Sequence, residues 1–372
     1  VGVLTSQNEQ VIIEIGITPI EIKSWYSLVF FESAYTCISN LIFCINHQMS
    51  SALPNLSTLH PNFMMPLPQL SAIKLAGEEQ QKYLQGQVTC DVNEQHVHSL
   101  QHGAHCDAKG KVLSVFRLMT HQGALLLVQP ENSVKSSLAE LQKFGVFAKV
   151  EISQATELTF TCLVGEDVSQ QLANKIGSLP DALTPVVTHQ GASIVYLAGK
   201  ITRYLVVASA EEGEQLLGTI QAKQIDYRAW QLLEINEGFP QLNESTVAKY
   251  VPQMLNLDKL DGISFTKGCY LGQETVARMQ YLGKNKKMMA LLTGHSETTL
   301  ASAIGFEKQM AENWRTGGDV LASYQADTGE LYIQAVVANE LSDSDVLRVK
   351  DNDSVKLVLT ALPYDNTQNA DE

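Results

Sequence analysis

The sequence predicts an α+β fold, with antiparallel sheets each covered by helices and a small β-rich module at the C-terminal end. Three observations carry this reading. A strand, turn, strand, helix order occurs twice: KVLSVFRLM, the turn HQG, ALLLVQ and SVKSSLAELQKFG, then ASIVYLA, a turn at Gly199-Lys200, ITRYLVVA and AEEGEQLLGTIQAK. Val134, Leu138, Leu141 and Phe144 fall on one face of the first helix, and Leu216, Leu217 and Ile220 point inward from the second. Hairpins that feed a helix favour antiparallel sheets with helices on one side. After Lys287 the short runs MMALLTG, DVLASYQ, LYIQAVVA, DVLRVK and VKLVLTALPY are separated by turns such as Asp327-Thr328-Gly329, the pattern of a small barrel or sandwich. Finally, no GxGxxG or Walker-type loop occurs, so dinucleotide and nucleoside-triphosphate folds lose support.

The chain has 372 residues, 45% of them hydrophobic, enough for a large core and two or three domains. A formal net charge of −14 opposes a long non-specific nucleic-acid interface, which needs clustered Lys and Arg. The balance reverses from Lys267 to Lys287, with five basic residues against Glu274; a solvated helix face and an anion-binding rim both account for it. Cysteines 37, 44, 90, 106, 162 and 269 lack the spacing of a disulfide framework or a cluster-binding run, which suits a reducing, cytoplasmic setting. Residues 1–48 stand apart. SWYSLVFFESAYTCISNLIFCINH is interrupted by Glu32 and Asn40, and Lys23 is the sole Lys or Arg before Met49, so neither a membrane span nor a secretory signal fits well. These residues are expected to be translated upstream sequence ahead of a start at Met49, with a membrane anchor as the competing reading.

Taken in order, SAIKLAG reads as a strand, GEEQQKYLQGQ as a short helix ended by Gly86, and QVTCDV as an extended piece. His96, His98, His102, His105 and Cys106 are possible metal ligands, with His96 and His98 on one strand face, yet no CxxC or HExxH frame accompanies them and no metal site is expected. YRAWQLLEINEGFP reads as a helix ending at Gly238 with Trp230 on its apolar side. The stretch from Gly262 to Lys287 carries the chemistry. Ile263-Ser264-Phe265 reads as a strand, Gly268 and Gly272 allow a sharp turn around Cys269 and Tyr270, and QETVARMQY reads as a helix with Glu274 and Arg278 on one face. Cys269 and Gln273 then lie beside unsatisfied N–H groups at the helix start. A thiol there, two residues from the Lys267 ammonium, favours its thiolate, which makes Cys269 and Lys267 the catalytic candidates; a buried, inert cysteine is the alternative.

KGCYLGQE, preceded by YVPQMLNLDKLDGISF and followed by VAR, resembles the signature of the folate-binding YgfZ family, the tRNA-modifying relatives of the glycine-cleavage T-protein, an aminomethyltransferase. LQGQVTCDV resembles that family's N-terminal signature, and AENWRTGGDVL its C-terminal barrel, where Trp314 is read as structural. HCDAKGK resembles a turn that lines the family's central cavity, so Asp107, Lys109 and Lys111 are either rim residues or a solvated hairpin turn. The likeness runs from about Leu67 to Tyr364. It implies a T-protein-like folate-binding body around a central channel over residues 49–288, a β-barrel over 289–365 and a frayed tail over 366–372.

It also implies tetrahydrofolate or a derivative as cofactor, held by Trp230, Lys267, Tyr270, Gln273 and Arg278, since a folate needs an aromatic slot for its rings and cations for its carboxylates. A second family tryptophan falls near Leu70 here, which removes one stacking surface. The implied role is an accessory one in iron–sulfur protein assembly or maintenance and, through it, tRNA modification. Iron–sulfur proteins or tRNA-thiolating enzymes would be partners of a monomer that does not itself bind tRNA; the alternative is a folate-dependent one-carbon transferase with an unknown acceptor. Glycine cleavage is disfavoured. Ser114 and Val115 replace the T-protein's paired aspartate of GGIxDDL and have no useful basicity. The RxEAG turn likewise becomes Glu234-Ile235-Asn236-Glu237-Gly238, without its Arg.

Overall fold

The structure, a computed structural model, describes residues 52–283, 285–300 and 304–365. The expectations for residues 1–48, for the tail from 366 and for Lys284 lie outside the described residues. The body begins with β1 (Phe63–Pro66), β2 (Leu70–Ala76), α1 (Gln80–Gln85), β3 (Gln101–Cys106), β4 (Val112–His121), β5 (Ala124–Pro130) and α2 (Glu131–Gly145). It continues with β6 (Glu151–Gln154), β7 (Leu158–Val164), α3 (Glu166–Ile176), β8 (Val186–His189), β9 (Ala192–Leu197) and β10 (Arg203–Ser209). Then come α4 (Ala210–Leu217), β11 (Lys223–Gln224), α5 (Ala229–Asn236) and α6 (Gln273–Leu282). The C-terminal strands are β12 (Lys287–His295), β13 (Phe306–Met310), β14 (Asn313–Thr316), β15 (Gly318–Gln325), β16 (Glu330–Ala338), β17 (Leu347–Val349) and β18 (Lys356–Thr360).

These strands make three sheets. An antiparallel one has the order β3-β4-β5-β2-β6; a second, β11-β1-β7-β10-β9-β8, is parallel between β1 and β11 and antiparallel elsewhere. The period of two along a strand then sorts the side chains. Ala72 of β2, Cys162 of β7 and Leu205 of β10 meet in a core between the two sheets, closed by Trp230 and Leu233 of α5. The intervening Ile73, Leu75, Phe116 and Leu118 turn to the other face and pack on Tyr83 and Leu84 of α1 and on Val134 and Leu141 of α2. On the second sheet Leu163, Tyr204 and Val206 likewise pack on Val168 and Leu172 of α3 and on Leu216 and Leu217 of α4. The body is therefore four layers, helix–sheet–sheet–helix, and strands covered on both faces read as nearly continuous apolar runs.

Local chemistry sets the element ends. Ser209 accepts from the Glu212 amide at 3.3 Å while the Glu212 carboxylate accepts from the Ser209 amide at 2.9 Å, a reciprocal cap that starts α4. Leu216, Leu217 and Ile220 are buried as expected; on α2 the apolar stripe stops earlier, and Phe144 in the last turn is exposed. Other expectations are corrected. Ile263-Ser264-Phe265 belongs to no strand, and in QVTCDV Val88 makes an isolated bridge with His105. Asp91 ends that extension by accepting from the Asn93 amide at 3.1 Å and starting a short 3-10 turn, which leaves His96 and His98 in a loop.

The third sheet, β14-β13-β17-β18-β12-β16-β15, is antiparallel with a bulge between Val320 and Ala322. Leu292, Phe306, Ile333, Val337, Leu347 and Leu357 form its own core. The alternate residues Met289, Leu291, Leu321 and Val336 pack instead on Ala104, Leu232, Ile235 and Phe239, so one apolar cluster runs from the body into the C-terminal module.

Beneath α2 lies a small polar island. The Nδ1 of His105 is 2.9 Å from Ser137 Oγ, which accepts from Ser114 Oγ at 3.2 Å, and the His105 Nε2 has no hydrogen-bond partner among the described residues. Burial pushes the His105 pKa down to about 4 from 6.5. Because the unfolded chain takes up this proton more readily, neutral His105 contributes its full stability above about pH 6.5 and loses it as the pH falls toward 4. Denaturant unfolding followed across that window should show stability declining with acid, and His105→Gln should flatten the decline by up to about 3 kcal/mol; an unchanged slope would contradict this.

Candidate functional site

The two stretches singled out by the sequence, 86–90 and 262–272, are laced together. Thr89 Oγ1 donates to the Gly262 carbonyl at 2.6 Å, the Ser264 amide to Thr89 O at 2.9 Å and the Leu271 amide to Gly86 O at 3.1 Å. Lys267 drives the lacing. Its side chain is buried, and Nζ donates to the carbonyls of Val88 at 2.8 Å and Cys90 at 2.6 Å. Burial lowers its pKa to about 8, so the ammonium is desolvated and depends on those carbonyls. It also lies 5.2 Å from the centre of the Tyr270 ring, which is itself buried. The ammonium thus engages backbone of the other stretch, while Cys269 is exposed with a free thiol.

The helix reading holds from Gln273, the first residue of α6, with Gly272 as its N-cap. Cys269 precedes that cap by three residues and is not part of the first helical turn. Gly272 has φ +82°, and a Cβ there would lie 2.4 Å from the Asp107 carbonyl oxygen; Gly110 has φ +72°, and its Cβ would lie 2.9 Å from Gly272 O. The turn after β3 and the start of α6 therefore touch backbone to backbone, a contact only glycine permits. Asp107 holds that turn by accepting from the amides of Lys109 at 2.9 Å and Lys111 at 2.8 Å. Gln273 is half-buried, and Glu274 and Arg278 are exposed.

Beside this knot lies a cavity of about 840 Å³. Cys90 and Thr266 bring one laced stretch each to its wall, Phe239 and His102 add rings, and Arg117 of β4 and Arg203 of β10 form its buried end. Glu234 of α5 holds the two arginines. Arg117 donates twice to it at 2.9 Å, from Nη1 and Nη2, and Arg203 donates from Nη1 at 2.8 Å. Burial alone would raise the Glu234 pKa, but the two guanidiniums beside it hold it below the usual carboxylate range. The Trp230 ring lies 4.8 Å from the Arg203 guanidinium carbon and 5.9 Å from that of Arg117, and Phe239 lies 3.7 Å from Arg117. Both arginine Nε atoms and the Trp230 Nε1 are buried without a hydrogen-bond partner among the described residues.

None of Trp230, Lys267, Cys269, Tyr270, Gln273 and Arg278 lines the cavity. Trp230 is only 2% exposed and stands behind the wall, stacked on its guanidiniums, and Leu70 belongs to the same core. Lys267 stands behind it too, holding the Cys90 carbonyl. Neither arginine stands out from motif or spacing in the sequence, and His102 is there a possible metal ligand, a role different from the cavity-wall position it takes. A usable signal was present for the arginines: each is a lone cation inside an apolar strand, VLSVFRLM and ITRYLVVA, and Glu234 is a lone anion inside WQLLEIN. Charges in such settings are seldom buried without partners. Among the described residues no group of three or more His, Cys, Asp or Glu side chains could hold a metal ion, and no helix is long and apolar enough to cross a membrane, which leaves β-strand spans unaddressed.

Two outcomes follow for stability. Glu234→Gln leaves two guanidiniums facing each other without a counter-charge and should cost about 3–5 kcal/mol in denaturant unfolding. Lys267→Met orphans the Val88 and Cys90 carbonyls and should raise hydrogen exchange at the Ser264 and Leu271 amides well above the global unfolding rate. Unaltered exchange at both amides would rule out the clamp.

A family model for the YgfZ β-barrel domain matches residues 285–352. A protein named tRNA-modifying protein YgfZ from Colwellia psychrerythraea is 49% identical over 315 residues, which is 85% of this chain and 97% of that protein. Its namesake from Pectobacterium atrosepticum is 38% identical over 325 residues, 86% of this chain and 98% of that one. Among solved structures, the glycine cleavage system aminomethyltransferase T from Bartonella henselae superimposes with a TM-score of 0.61 at 11% identity, covering 82% of this chain and 86% of that one, a likeness of fold. On nearly full-length matches to these relatives, a T-protein-like body and the C-terminal barrel, the chain belongs to the YgfZ family.

Proposed function

We propose that this chain binds a reduced folate in the cavity at Arg117 and Arg203, and with Cys269 as its working thiol supports iron–sulfur proteins on which tRNA modification depends. The carrying observation is the pair of buried guanidiniums at the cavity end, each with an Nε lacking a partner among the described residues. Buried donors of that kind favour an anionic ligand that supplies acceptors. A cavity of about 840 Å³ with the rings of His102, Tyr196, Phe239 and Tyr364 in its wall suits a flat ring system that carries carboxylates. Folate contact is thereby proposed for Arg117 and Arg203 in place of Lys267, Gln273 and Arg278. Trp230 would align the guanidinium planes from behind, and Lys267 with Tyr270 would fix the loop that presents Cys269.

The relatives' name supports the tRNA-modification role, and the charge of −14 favours an indirect one. Glycine cleavage has little support. Ser114 is fully buried and bonded to Ser137 beneath α2, and Val115 is buried in the shared core, so no carboxylate occupies the place of the T-protein pair. A reducing cytoplasm, where Cys90, Cys106, Cys162 and Cys269 stay free thiols, is the proposed setting.

Calorimetric titration with tetrahydrofolate tests the binding step. Saturable binding is expected, weakened about tenfold or more by Arg117→Lys, which keeps the charge and loses the paired geometry; absence of saturable binding to the unaltered protein would refute the site. The thiol is tested separately. Cys269→Ala should bind tetrahydrofolate normally yet fail to restore iron–sulfur enzyme activity in a null strain, and full restoration would remove Cys269 from the function.

A further inference from the structure

We infer that the cavity selects folates with short glutamate tails, because its buried end is cationic and its mouth is acidic; this rests on the folate reading above. The lining grades from closed to open. Arg117 and Arg203 are 6% and 1% exposed, whereas Glu94 and Asp261 are exposed members of the same lining. At the closed end two guanidiniums face one carboxylate, Glu234, which leaves a net positive charge there. The lining carries four carboxylates, of which Glu94 and Asp261 are exposed and mark the mouth, while Asp91 and Glu237 are half-buried. Lys259 shares that rim, but its ammonium is 2.9 Å from Asp365. Lys200 follows the lining residue Gly199 and is exposed, and the acids still outnumber the bases.

A folate with a single glutamate can place its carboxylates on the arginines or just inside the mouth. Each further glutamate adds one negative charge and several ångströms of chain. If the tail points inward it meets the buried end, formed by side chains that pack into the core between the sheets. If it points outward it leaves among the rim carboxylates, where like charges closer than the ~8 Å screening length of physiological salt repel. Both orientations penalise the longer tail, the first by volume and the second by repulsion. Asp91 accepts from Gln85 and the Asn93 amide and Glu237 from the Lys200 and Ile201 amides, whereas the side chains of Glu94 and Asp261 make no hydrogen bond or ion pair among the described residues, so these two are the ones to neutralise.

The test is a calorimetric comparison of tetrahydropteroyl monoglutamate and triglutamate on the full chain, at low salt and again with Glu94→Gln/Asp261→Asn. The triglutamate is expected to bind about tenfold more weakly than the monoglutamate, and the double variant or added salt should narrow that gap at least about threefold. Equal or tighter binding of the triglutamate overturns the inference and leaves the folate site standing. A gap that neither the double variant nor salt narrows overturns selection by charge. Absence of saturable binding for both ligands overturns the folate reading, and the inference with it.

Discussion

The contact on which the rest of the molecule depends is the carboxylate of Glu234 held between Arg117 and Arg203. Each partner comes from a different layer: β4 of the first sheet, β10 of the second and α5 at their junction. Burying three charges in hydrocarbon is costly, and the cost is offset only when their hydrogen-bonding geometry is met. The two sheets and the helix are therefore fixed relative to one another by an angular requirement, which apolar packing alone does not impose. The aromatic faces of Trp230 and Phe239 complete the setting by covering the guanidiniums with π surface. A cavity end whose charges are already fixed by one another would, on the proposed reading, reduce the ordering that binding must supply.

A second constraint acts at the laced stretches. Lys267 gives up hydration to hold two carbonyls far away in sequence, and in doing so it turns a loop without regular structure into a fixed wall. The paired glycines 110 and 272 allow the β3–β4 turn to seat directly on the start of α6. Cys269 lies between these two anchors. Its exposure therefore comes from a loop pinned at both sides, which presents the thiol at a defined place.

Much of the architecture was legible in the sequence. The repeated hairpin–helix units follow from period-two strands and apolar helix faces, and the β-rich end from short runs between turn residues. What escaped was tertiary. Ile263-Ser264-Phe265 has strand-like composition, but its backbone bonds to Thr89 across the chain and joins no ladder. Trp230 was read as a wall residue, while the structure sets it one layer deeper, where it orients the charges that do form the wall. Lys267 was read against its sequence neighbour Cys269, although its partners lie near residue 90. Glu234 was read as the loss of an arginine, yet the fold brings two arginines to it from strands. Each miss concerns a polar group whose partner is remote in sequence, and such pairings leave no local periodicity to read.

The apolar cluster shared by body and barrel has a consequence for how anything reaches the cavity. Met289, Leu291 and Val336 on one side and Leu232, Ile235 and Phe239 on the other are packed as a single interior. A barrel anchored in this manner cannot swing away as a hinged lid without laying that interior open to water. On the proposed folate reading, entry to the chamber would then fall to rim side chains and surface loops, since every lining residue lies outside the strands of the barrel.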